Sequence, residues 1–213
     1  RRGAAVCGGL ALDALVDQWD RAGVRVECLR GIVEPRGAAM ADAQRVCLIT
    51  GAGRATGLGF EVARQLAAAG RSVVLTARRP EAAAARAADL AAHGLEVLAC
   101  PLDVDDASSI AQAAALVAER HGRLDVLINN AAATSVFGET AAGADLESAR
   151  RTVETILFGT WRVSQTFLPL LMESANGVIV NVTSGAGSHA DPVFGLSSGN
   201  AMPASYGVAK AAV

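Results

Sequence analysis

Lysine and tyrosine are almost absent from this 213-residue sequence: the one lysine is Lys210 and the one tyrosine is Tyr206. Aromatic residues make up 4%, and 19 basic residues against 21 acidic ones leave a formal net charge of −2. That balance lacks the basic excess of a nucleic-acid binder. The four cysteines (Cys7, Cys28, Cys47 and Cys100) form no C-x-x-C pair and have no histidine at ligand spacing. This argues against a metal site or a disulfide framework and places the chain in a reducing, cytoplasmic setting. No uninterrupted apolar run approaches the ~20 residues of a membrane span. At 52% hydrophobic, the chain is also too apolar to be disordered, and its length suits one α/β domain.

The two ends read differently from the middle. Residue 1 is Arg, and the first methionine is Met40. Leu12, Leu15, Val16 and Trp19 fall at helical spacing, and Val24–Cys28 reads as a short strand. Residues 1–39 are expected to be an extension, either the tail of a fused unit or translated upstream sequence. Asp13 interrupts the apolar stretch that follows Arg1-Arg2, which argues against a signal peptide. The domain is expected over residues 40–213. Val213 falls inside a predicted helix with no capping residue after it. The domain is therefore expected to be incomplete at its C-terminus, and residues 1–213 alone to be poorly active.

Between the ends, strands and helices alternate. Strands are predicted at Arg45–Thr50, Ser72–Ala77, Leu95–Cys100, Leu124–Asn129 and Gly177–Thr183. Helices are predicted at Phe60–Ala69, Glu81–Ala92, Ala107–Arg120, Leu146–Leu171 and from Ala204 onward. Most of the strands are continuous apolar runs, the pattern of a parallel sheet buried on both faces. Right-handed crossovers then give a doubly wound, Rossmann-like sheet.

The first strand leads into Thr50-Gly51-Ala52-Gly53-Arg54-Ala55-Thr56-Gly57-Leu58-Gly59, and a helix follows. Glycines there let the backbone approach a pyrophosphate, and the helix start offers free N–H groups. The second strand ends Thr76-Ala77-Arg78-Arg79, where an NAD site would place a carboxylate. Arg78, with Arg54 from the glycine loop, suits the 2′-phosphate of NADP, so NADP is favoured over NAD. The alternative reading of the two arginines at the strand end is a solvated surface pair.

Further motifs follow in order: Leu102-Asp103-Val104, Asn129-Asn130-Ala131-Ala132, Asn181-Val182-Thr183-Ser184 and Tyr206-Gly-Val-Ala-Lys210. Together with the glycine loop, they make residues 44–213 resemble the short-chain dehydrogenase/reductase family. Phe158-Gly159, Phe167 to Leu171 and Thr183 to Ser188 are similar to its carbonyl-reductase-like members.

The resemblance implies a role for each matching residue. Gly51, Gly53, Gly57 and Gly59, with Leu58 between them, would line the pyrophosphate. Asp103 would bond the adenine amino group and Val104 would lie against the ring. Asn130 and Ala131 would pass near the ribose. Ser184 would hydrogen-bond the substrate oxygen, and Tyr206 would be the general acid or base. Lys210 would hold the nicotinamide ribose and lower the Tyr206 pKa from its ordinary value near ~10. The implied reaction is hydride transfer between NADP and a small-molecule carbonyl or secondary alcohol, by a homo-oligomer when full length.

Four departures stand out. The Thr50-Gly51 pair lies two residues early relative to Gly53, Gly57 and Gly59. Ile156 stands where the family commonly has an Asn that supports a proton path. Ala132 replaces a glycine, which is expected to strain the backbone. The segment between Ser184 and Tyr206 is long, and its His189–Met202 portion either covers the substrate cleft or is an exposed loop. His189 is not assigned a catalytic role. Ile156, the altered loop and the expected truncation support a second reading, a non-catalytic NADP-binding protein or an inactive fragment.

Overall fold

The computed structural model describes residues 45–133, 138–196 and 203–213. The helical spacing at Leu12–Trp19, the strand at Val24–Cys28, the Met40 boundary, Cys7, Cys28 and residues 197–202 lie outside the described residues.

Five parallel strands form one sheet in the order β3-β2-β1-β4-β5. They are β1 (Val46–Ile49), β2 (Ser72–Ala77), β3 (Leu98–Pro101), β4 (Val126–Asn129) and β5 (Val178–Asn181). The helices are α1 (Leu58–Ala68), α2 (Pro80–Ala91), α3 (Ala107–His121), α4 (Leu146–Val153), α5 (Thr160–Met172) and α6 (Ala204–Ala211). A π-helical segment, Glu154–Gly159, joins α4 to α5. The order reverses between β1 and β4, and in such sheets ligands bind in the crevice beyond the strand ends at that point.

Period-2 geometry divides β1 between two cores. Cys47 and Ile49 face one layer with Val62, Leu66, Leu75 and Ile128. Val46 and Leu48 face the other with Ile110, Val117, Leu127 and Phe167. Each large side chain so buried contributes about 1.5–3 kcal/mol. The continuous apolar runs predicted this two-sided burial, which β1 and β4 show throughout. β5 differs: Val178 and Ile179 are exposed, and among the described residues this strand pairs only with β4.

Element ends follow local chemistry. Asp106 caps α3 by accepting from the Ser108 N–H, and Gly122, at φ 71°, closes it. Pro80 starts α2 at a position where its missing N–H is harmless. The third strand begins at Leu98, not Leu95, because Leu95 still bonds back to Leu90 at the end of α2. The long helix predicted over Leu146–Leu171 forms, but with one wider π turn inside it. The strain expected at Ala132 is absent, since no described non-glycine residue has positive φ.

Candidate active site

Thr50 and Asn130 join the C-terminal ends of β1 and β4. The Thr50 hydroxyl accepts from the backbone N–H groups of Asn130 (2.9 Å) and Ala131 (3.0 Å). Asn130 Nδ2 donates to the carbonyls of Thr50 (2.9 Å) and Gly51 (3.3 Å). Gly51 takes φ 71°, and a Cβ there would lie 2.7 Å from Ala131 Cα, so this crossing requires glycine. Gly59 is as closely constrained, because its Cβ would lie 2.5 Å from Asn130 Nδ2. Within this loop the Gly57 N–H donates to the Arg54 carbonyl at 3.0 Å, closing a turn over Ala55 and Thr56.

Beside this loop lies a cleft of about 720 Å³. Of the residues singled out in the sequence, Gly51, Gly53, Arg54, Arg78, Asp103, Val104, Ala131 and Tyr206 line it. Gly57, Leu58, Gly59, Asn130, Ser184 and Lys210 do not. Arg79, Asp105, Ala132, Ala133, Thr155 and Pro203 also line it, and sequence reasoning did not assign them a site role. Thr155 donates to Asp105 Oδ2 at 2.7 Å, and a Cβ on Gly159 would lie 2.9 Å from Val104 Cγ2. These two contacts seat the Asp103–Asp105 loop on the π segment. No sequence signal marks either of them, because the residues are far apart in the chain.

Ser184 comes together with Tyr206 and Lys210 although it follows β5 and they lie on α6. Its hydroxyl accepts from the Ala186 N–H at 3.2 Å, starting the Gly185–Gly187 3₁₀ turn. That turn packs against α6 with almost no space: a Cβ on Gly187 would lie 2.5 Å from the Ala211 nitrogen. Small residues there bring the Ser184 hydroxyl close enough to Tyr206 to act on its phenol. Lys210, one turn beyond Tyr206, is 5% exposed and donates to the Val182 carbonyl at 2.5 Å.

The electrostatics depart from expectation. Burial pushes the Tyr206 phenol above its ordinary value, and the nearby Ser184 hydroxyl only partly opposes this. Burial also pulls the Lys210 amine down to about 8. The expected lowering of the phenol by Lys210 is not seen, because desolvation dominates both groups. Ile156 is fully buried in the π segment, and His189 is exposed on its loop.

The short chain dehydrogenase family model matches residues 45–213. Among curated relatives, (−)-isopiperitenone reductase of Mentha piperita is 34% identical over 188 residues, covering 70% of this chain and 59% of that protein. Carbonyl reductase [NADPH] 1 of Bos taurus is 37% identical over 147 residues, covering 68% and 50%. The match therefore spans little more than half the length of these relatives. Among solved structures, a variant actinorhodin polyketide ketoreductase with NADPH is 32% identical with TM-score 0.68, covering 79% of this chain and 60% of that one. A metagenomic short-chain oxidoreductase in complex with NADP is 32% identical with TM-score 0.66, covering 79% and 70%. No helix among the described residues is long and apolar enough to cross a membrane.

Proposed function

The chain belongs to the short-chain dehydrogenase family, and we propose that it acts as an NADP-dependent oxidoreductase on a small carbonyl compound or secondary alcohol. The observation that carries this reading is the placement of the Ser184 hydroxyl beside the Tyr206 phenol, with Lys210 one helical turn away and a cleft that Tyr206, Arg54 and Arg78 line. Residues 40–213 are read as the nucleotide-binding domain.

The residues present suit a phosphorylated dinucleotide. The cleft wall is glycine and alanine where backbone must come close: a Cβ on Gly53 would already lie 2.9 Å from Ala77 Cβ. Arginine, the side chain suited to bidentate phosphate binding, lines the same wall. In this reading Gly51, Gly53, Gly57, Leu58 and Gly59 bind the pyrophosphate, and Arg54 and Arg78 bind the 2′-phosphate. Asp103 and Val104 hold the adenine. Asn130 and Ala131 border the adenosine ribose, and Lys210 holds the nicotinamide ribose. When bound, the reduced nucleotide supplies the hydride.

The chain's own residues handle the proton. In reduction, Tyr206 donates its phenolic proton to the carbonyl oxygen as that oxygen gains charge. The Ser184 hydroxyl donates to the same oxygen. Water then reprotonates the phenolate left behind. Alcohol oxidation runs through the same groups in reverse.

The test is NADPH consumption with a panel of reactive carbonyls, in the protein and in Tyr206→Phe. Turnover should disappear in the variant while NADPH affinity stays within twofold. Turnover that survives in Tyr206→Phe would sink the mechanism. One observation favours the second reading, a non-catalytic NADP-binding protein: fully buried, apolar Ile156 in the π segment. Tight NADPH binding with no turnover across the panel would select it.

A further inference from the structure

The first turn of α6 has no cap of its own. Its N-cap position is Pro203, which makes no side-chain capping hydrogen bond. Helix starts leave several backbone N–H groups without partners, and a short helix frays where these are unmet. This start matters because Tyr206 is the third residue of α6.

A distant residue supplies one missing acceptor and also holds a side chain of this turn. Glu139 lies on the connection between β4 and α4, just after Gly138, whose φ is 85°. Its backbone carbonyl accepts from the Ala204 N–H at 3.3 Å. Its side-chain Oε2 accepts from the Ser205 hydroxyl at 2.7 Å. Ser205, the residue before Tyr206, is 6% exposed, so this bond is shielded from water. The other carboxylate oxygen, Oε1, is buried with no hydrogen-bond partner among the described residues. Among the described residues the carboxylate's one side-chain bond is therefore that from Ser205, and it sits at the positive end of the helix dipole, where a negative charge is favoured.

We propose that Glu139 is a positioning residue, clamping the first turn of α6 through Ala204 and Ser205 and thereby fixing Tyr206 against Ser184. The proposal rests on the reading of Tyr206 as the acid/base group. Glu139 is not among the residues lining the cleft, so the clamp should govern the chemical step rather than nucleotide affinity.

Because Tyr206 is the only tyrosine, incorporation of 3-fluorotyrosine gives one ¹⁹F resonance that reports its surroundings without any substrate. In Glu139→Ala this resonance should move toward that of the free amino acid. In Glu139→Gln, whose carbonyl oxygen still accepts from Ser205, it should overlay the wild type. Ser205→Ala removes the donor and should reproduce the Glu139→Ala shift; it decides the matter if Glu139→Ala does not fold. In turnover, Glu139→Ala should lower kcat by about tenfold or more, the scale of a misplaced reacting group, and leave KM for NADPH unchanged. Glu139→Gln should rescue kcat. An unmoved ¹⁹F resonance in both Glu139→Ala and Ser205→Ala overturns the clamp, as does a KM for NADPH that rises while kcat holds. If the wild type turns over no carbonyl, the acid/base reading fails, and the ¹⁹F comparison still decides whether Glu139 positions Tyr206.

Discussion

Lys210 Nζ lies 6.0 Å from the centre of the Tyr206 ring, and its hydrogen bond goes to the Val182 carbonyl rather than to the phenol. The two rarest side chains of the sequence therefore meet in a buried site that disfavours the charged form of each. Burial lowers the Lys210 pKa to about 8, against about 10.4 for an unperturbed lysine. Between those values the unfolded chain binds more protons than the folded one, so this group makes stability rise with pH from about 8 toward about 10. Urea midpoints measured across that range should rise in the wild type relative to Lys210→Met. Parallel pH profiles for the two proteins would refute the assignment.

Asp125 is the opposite case. Burial disfavours its charge, but bonds from the Ser174 hydroxyl (2.5 Å) and the Val46 N–H (2.7 Å), with Arg123 alongside, outweigh this and hold the carboxyl below its ordinary value. Its stabilisation is complete above the unfolded carboxylate value of about 3.9 and is lost as pH falls through the lower folded value. Asp125→Ala leaves the Val46 N–H and the Ser174 hydroxyl without this acceptor and should cost roughly 1–3 kcal/mol at neutral pH. Denaturant melts at neutral and acidic pH should show the difference between wild type and variant shrinking with acid.

Gly51 and Gly94 have nearly the same backbone conformation, φ 71° and 74°, in different surroundings. A Cβ at Gly94 meets nothing within 4 Å, so Gly94→Ala should cost only the conformational penalty of about 1–2 kcal/mol. A Cβ at Gly51 would press on Ala131 Cα at 2.7 Å and push the β1 and β4 loops apart. Gly51→Ala should therefore be the less stable variant and should lose NADPH binding, which Gly94→Ala keeps. Thermal melts with and without NADPH test both points.

Arg78 lines the cleft and is exposed at the end of β2. A hydrogen bond to a charged group is worth about 1.5–3 kcal/mol, so Arg78→Ala should weaken NADPH binding by about 10–100-fold and leave NADH binding nearly unchanged. Equal losses for the two nucleotides would remove Arg78 from the 2′-phosphate site.

Phe158, Trp161, Leu168 and Met172 are exposed along the π segment and α5, and Val208 is exposed on α6. Apolar exposure of this extent supports self-association. Trp161→Arg should shift the sedimentation coefficient toward the monomer, and a monomeric wild type would refute the expectation of an oligomer.

Much of the fold was legible because it rests on local rules. Apolar runs at β1, β2 and β4 alternate with helical spacing, and the glycines near their ends mark the turns. Each of these signals lies within a few residues of the structure it specifies. The exposure of β5 was not legible, because Val178 and Ile179 belong to the same kind of apolar run as the buried strands. The π turn at Glu154–Gly159 was not legible either, since one wider turn barely disturbs the helical pattern around it.

The candidate site divides in the same way. By itself the sequence determined the glycine loop after β1, the pairing of Tyr206 with Lys210 on one helix face, and Ser184 just beyond β5, since spacing along single elements sets all three. Only the tertiary structure decided that Ser184 reaches Tyr206, that Thr155 and Asp105 meet, that Glu139 clamps Ser205, and that burial rather than the neighbouring charge governs Tyr206 and Lys210. Those facts depend on distances between distant segments and on how much water the packing removes. Neither quantity is written in the order of the residues.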